Sequence, residues 1–164
     1  MRKNSLSYIG LIILVLFTAA GCGGASEPEA GPCTNTPVGT DSTALLSFAK
    51  GQGLTNLKDT LGMYYQVLSQ GSGATPTVNS KIFITYTGTL LNGTIFDSKT
   101  NAAETGWPLA QLIAGWQYGL MKIRAGGHIK LLIPSAYGYG CQGSGAAIPP
   151  NSPLYFDITL VSIQ

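Results

Sequence analysis

The chain has one histidine, His128, and only 10% of its 164 residues are charged. No acidic or cysteine residue stands near His128 in sequence. A Ser-His-Asp triad and a His-ligated zinc site therefore lack their parts, and His128 reads as a surface or structural residue. No Gly-x-Gly-x-x-Gly or P-loop pattern links a candidate strand directly to a helix, so a nucleotide cradle is not indicated. Asp97 has no carboxylate mate for glycosidase work. With Arg2 and Lys3 set aside, seven basic residues face seven acidic ones, with neither sign clustered. That balance argues against nucleic acid as a partner. No repeat period is visible among the 22 glycines. No metal or other cofactor is expected. No long helix suited to dimerisation is legible, so a monomer is expected.

What is present begins with an address. Arg2 and Lys3 precede an almost wholly apolar run, Tyr8–Phe17, and small residues follow up to Cys22. This is the order of a secretory signal, and the run is shorter than the roughly 20 residues of a membrane span. Ala19-Ala20-Gly21-Cys22 resembles a bacterial lipobox, with Ala19 where Leu is commoner. The resemblance implies cleavage after Gly21, acylation of Cys22 and attachment to a membrane, which several acyl chains make stable. Gly23 rather than Asp follows Cys22, which by that resemblance favours the outer membrane, facing the periplasm. Residues 1–21 are thus expected as signal peptide. Residues 22–40, rich in Gly and Pro, are expected as a flexible tether. Residues 41–60 are expected as a short helical extension that packs on or spaces the domain. Asp41 or Ser42 would cap this helix, and Ala44, Leu45, Phe48 and Ala49 would form its apolar face.

Residues 61–164 read as the folded domain. Strands are expected over Met63–Leu68, Lys81–Leu91, Thr94–Ser98, His128–Ile133 and Leu154–Ile163. Asn92-Gly93 marks a hairpin turn. One helix is expected near Leu112–Lys122, where Trp116, Leu120 and Ile123 fall on one stripe. The pattern is α+β, an antiparallel sheet with one face on a single helix.

Several aromatic and glycine motifs then follow in order. They are Ile84-Thr85-Tyr86-Thr87-Gly88 with Ile95-Phe96-Asp97-Ser98, and Trp107-Pro108-Leu109-Ala110-Gln111-Leu112-Ile113-Ala114-Gly115-Trp116. Next come Ile133-Pro134-Ser135-Ala136-Tyr137-Gly138-Tyr139-Gly140, Ala147-Ile148-Pro149-Pro150-Asn151, and Leu154-Tyr155-Phe156-Asp157. Together they resemble the FKBP family of peptidyl-prolyl cis/trans isomerases. The resemblance implies a curved antiparallel sheet wrapped around one short helix, and an apolar cleft that acts on proline-containing polypeptides. Carried over by residue, Trp116 forms the floor, and Tyr86, Phe96 and Phe156 the walls. Leu112, Ile113 and Ile148 add apolar contacts. Tyr139 donates its hydroxyl to the substrate carbonyl, and the Ile148 N–H is a second donor. Asp97 orients Tyr86 and faces the twisted carbonyl carbon. Thr105 stands where a pocket aromatic is common in the family, and no Arg lies between Asp97 and Trp116. The implied activity is prolyl isomerisation assisting folding in the cell envelope. A catalytically weak chaperone or binding module on the same anchor is the alternative.

With Cys22 lipidated, Cys33 and Cys141 remain. An oxidising envelope favours a bridge between them, while two free thiols stay open as the other reading.

Overall fold

The computed structural model describes residues 32–164. The expected signal segment, Cys22 and the start of the tether lie outside them. Seven strands form one sheet: β1 (Lys58–Thr60), β2 (Met63–Ser69), β3 (Lys81–Leu90), β4 (Ile95–Lys99), β5 (Trp107–Pro108), β6 (Gly127–Ile133) and β7 (Leu154–Ile163). The order across the sheet is β1-β2-β6-β7-β3-β4, with β5 paired to β3, and every pairing is antiparallel. Among the described residues there are two α-helices, α1 (Ser42–Gly51) and α2 (Ala114–Leu120).

Alternation decides which side chains face α2. On β3, Ile82, Ile84 and Tyr86 are buried, and on β7 Leu154, Phe156, Ile158 and Leu160 are. The α2 stripe of Trp116, Leu120 and Ile123 packs against them in the main core. The helix is shorter than the expected Leu112–Lys122. Leu112 (ψ 167°) and Ile113 (ψ 146°) stay extended. At the other end, Lys122 and Ile123 close i→i−3 bonds to Gly119 and Leu120, which tighten a last turn. The Gln117 amide donates to the Ala110 and Leu112 carbonyls, at 3.2 and 2.8 Å, and so fixes the chain's entry into α2.

The opposite face carries α1. Leu45 and Ala49 are buried there against Leu132, with Phe48, Tyr64 and Tyr155 around them. Ala44, expected on the apolar face, is exposed. Neither expected cap forms. Asp41 occupies the N-cap position without a side-chain bond to the helix. Its carboxylate instead accepts from the Ser135 N–H and hydroxyl, both at 2.7 Å. These charge-assisted bonds to a fully buried serine outcompete an exposed cap. Residues 32–40, read from composition as tether, are held on the domain by Cys33, Asn35 and Thr36, which bond to residues 135–141. Composition does not report such pairings at long range. Among the described residues, no helix is long and apolar enough to cross a membrane.

Candidate functional site

Between α2 and the inner face of the sheet lies a cavity of about 320 Å³. Its floor is Trp116, only 4% exposed. The aromatic rings hold one another edge to face. Tyr86 and Phe156 meet the indole at centroid distances of 5.0 and 5.1 Å, and Phe96 meets Phe156 at 5.5 Å. Such T-shaped pairs are favoured by the ring quadrupoles, so each ring supports its neighbours in the wall. β-Register explains the assembly: Gly88 on β3 pairs with Asp97 on β4 and with Phe156 on β7. A Cβ on Gly88 would come within 2.7 Å of both the Phe96 and Phe156 rings. The glycine is what lets those two rings meet.

Leu112 and Ile113, on the extended entry to α2, also line the cleft, and Tyr139 and Asp97 stand at its rim. The Tyr86 hydroxyl donates to the Asp97 carboxylate. Burial, followed by this hydrogen bond, pushes the Tyr86 pKa far above the ordinary tyrosine value. Burial also raises Tyr139, and the nearby Asp97 charge adds to it. Both phenols therefore keep their protons. Tyr139 makes no side-chain hydrogen bond among the described residues, so its O–H is free to donate. No ion pair engages Asp97 there either.

Ile148 departs from its expected role. Its side chain is buried in the core, it is not among the cleft-lining residues, and its N–H donates to the Ser144 carbonyl at 3.1 Å. A short bridge between Ser144 and Ile148 has taken the donor. The Ile113 N–H, by contrast, has no acceptor among the described residues and sits on the cleft wall.

Trp107 was missed as a wall residue. It lines the cleft and meets Tyr86 edge to face at 6.1 Å. The signal was its place in the Trp107–Trp116 motif, but the pairing of β5 with β3 is what turns it inward. Thr105 serves the backbone instead. Its hydroxyl donates to the Ala102 carbonyl at 2.7 Å and accepts from the Ile84 N–H at 3.0 Å. His128 faces away from the cleft and pairs with Asp157 across β6 and β7. Among the described residues no cluster of His, Cys, Asp or Glu could hold a metal ion.

A short helix laid on an antiparallel sheet, with an aromatic-lined cleft between them, is the arrangement these residues build. Residues 73–161 match the family model for the FKBP-type peptidyl-prolyl cis-trans isomerase, and the chain belongs to that family. It is 41% identical over 103 residues to a probable FKBP-type peptidyl-prolyl cis-trans isomerase FkpA of Neisseria meningitidis, covering 62% of this chain and 38% of that one. It is 36% identical over 110 residues to FK506-binding protein 1 of Dictyostelium discoideum, covering 63% of this chain and 100% of the relative. The crystal structure of a peptidyl-prolyl cis-trans isomerase from Pseudomonas syringae pv. tomato superposes with a TM-score of 0.65 at 30% identity. That match covers 80% of this chain and 98% of the other. The chain spans less than half the length of several bacterial relatives it matches.

Proposed function

We propose that this chain isomerises X-Pro bonds in proline-containing polypeptides, with the prolyl ring seated on Trp116 between Tyr86, Phe96 and Phe156. The observation that carries this reading is the preformed aromatic cleft, with a protonated, unengaged Tyr139 hydroxyl at its rim. The barrier to isomerisation is roughly 18–20 kcal/mol and comes from amide resonance. Twisting the bond breaks no covalent link, so no nucleophile is required. The twisted amide is less polar than the planar one and loses less on leaving water. A dry aromatic wall therefore favours it, and each increment of about 1.4 kcal/mol in that preference gives about tenfold in rate.

Tyr139 donates to the substrate carbonyl, and the Ile113 N–H replaces Ile148 as the second donor. Asp97 holds Tyr86 in the wall and presents negative charge toward the twisted carbonyl carbon. The protease-coupled assay on a prolyl peptide tests the reading. Isomerisation unaffected by a chelator is expected, and no activity at micromolar enzyme overturns it.

The same reading has the domain lipid-anchored through Cys22 in a bacterial envelope, at the outer membrane and facing the periplasm, where it assists folding. The lipobox-like Ala19–Cys22 supports this. So does the Cys33–Cys141 bridge, because disulfides persist in oxidising compartments. Cys22→Ala is expected to release the protein from membranes. Full retention of that variant in high salt rejects the anchor.

A further inference from the structure

Tyr86 and Tyr139 both face the cleft, but they are held differently. Tyr86 is buried and bonded to Asp97. Tyr139 is 38% exposed and has no side-chain hydrogen bond among the described residues. Tyr139 also lines a second hollow of about 490 Å³, together with Cys33, Asn35 and Gly138. With no side-chain hydrogen bond among the described residues to hold the hydroxyl, its placement depends on the backbone that carries the ring.

That backbone is gripped on both sides by a segment preceding the family-matched residues 73–161. Before Tyr139, the fully buried Ser135 bonds to the Asp41 carboxylate through its N–H and hydroxyl, and its Oγ lies 3.0 Å from Thr36 Oγ1. After Tyr139, the Cys141 N–H donates to Asn35 Oδ1 at 2.9 Å, and Cys141 is bridged to Cys33, with Cα atoms 5.6 Å apart. Gly140 lies between, at φ 55°, and a Cβ there would collide with Asn35 Oδ1. Glycine thus permits both the left-handed backbone and the approach of Asn35.

We propose that the segment Cys33–Asp41 is a positioning strap that sets the Tyr139 hydroxyl for turnover, with Asn35 and the Cys33–Cys141 bridge as its principal positioning elements. This rests on the isomerase reading above. The strap touches no substrate and acts through Tyr139. Its loss therefore lowers the rate of the chemical step and leaves ground-state binding nearly intact.

The experiment is a mutant cycle on the full chain. Isomerase kcat and KM are read together with amide hydrogen exchange over Gly138–Gly143. Asn35→Ala is expected to lower kcat roughly fivefold, as for one mispositioned hydrogen bond, with KM nearly unchanged and exchange in the loop faster. Asn35→Asp keeps the acceptor and should restore most of the rate. Cys33→Ser should reproduce the loss by a second route. In a Tyr139→Phe background, Asn35→Ala should cost no further rate, because the hydroxyl it positions is gone. An active wild type whose Asn35→Ala variant keeps full kcat overturns the strap. So does an Asn35→Ala loss that multiplies with Tyr139→Phe. A wild type inert on prolyl peptides overturns the isomerase reading, and the strap's catalytic role with it. Faster loop exchange in Asn35→Ala would then report only the mechanical grip.

Discussion

The Tyr86 hydroxyl donates to the Asp97 carboxylate across the β3–β4 hairpin. The bond ties one wall residue to the rim, and Asp97 adds to the burial that raises both cleft tyrosines. Asp97→Ala should lower kcat/KM about tenfold, the scale of one charge-assisted hydrogen bond. Asp97 is exposed, so global stability should change little. Asp97→Asn should also let Tyr86 and Tyr139 ionise at lower pH than in the wild type, though still above the ordinary value, because burial is the larger cause. Unchanged turnover in Asp97→Ala means that the carboxylate has no part in the reaction.

Ile113→Pro isolates a single backbone donor. The residue already has φ −56° and precedes α2, and Leu112 before it is extended. Proline fits that geometry and is tolerated at a helix start. The substitution removes the N–H while keeping an apolar side chain. It should cost about tenfold in kcat/KM, as for one lost hydrogen bond, with a denaturation midpoint close to wild type. Ile113→Val keeps the N–H and serves as the side-chain control. Equal activity in the two variants would show that the Ile113 amide does not contact substrate.

Gly88→Ala places a methyl group where the Phe96 and Phe156 rings already fill the space. The rings must part, and overpacking of this kind costs typically 1–3 kcal/mol. Weaker binding of prolyl peptides should accompany the lost stability. Wild-type KM in a destabilised variant would show that the ring contact is structural only.

The alkaline limb follows from three tyrosines. Tyr86 and Tyr139 lie above the ordinary value of 10.0 mainly through burial, with Asp97 adding to each. Burial and then Asp157 push Tyr155, in the small core under α1, up to about 12. Folded values above the unfolded value mean that the folded chain keeps protons the unfolded chain gives up. This contribution to stability is whole below pH 10 and is lost as the pH rises through the folded values. Denaturation midpoints should be flat in this respect up to about pH 10 and then fall. Turnover that depends on a protonated Tyr139 should persist to the same limit. Ultraviolet titration of phenolate checks the assignment: Tyr86, Tyr139 and Tyr155 should keep their protons to higher pH in the folded protein than in denaturant.

Sequence alone determined the elements whose signal is local. Leu154–Leu160 alternates buried and outward-facing residues, and the strand runs over the expected Leu154–Ile163. Asn92-Gly93 makes the β3–β4 turn, with Gly93 at φ 87°. The order of aromatic motifs pointed to the family, and it named Tyr86, Phe96, Trp116 and Phe156, which share one cleft. Tertiary structure decided what depends on residues far apart in the chain. Asp41 reads as a helix cap, yet its carboxylate spans a separation of 94 residues to satisfy Ser135. Cys33 and Cys141, 108 residues apart, read equally well as a bridge or as two thiols, and only the fold brings their Cα atoms to 5.6 Å. The Ile148 N–H, a substrate donor by family resemblance, is taken by the Ser144 carbonyl in the fold. Periodicity records which face a residue takes within its own element, because that is set by bonds a few residues away. Which distant donor meets which acceptor is set by the register and curvature of the whole sheet, and no local pattern carries that information.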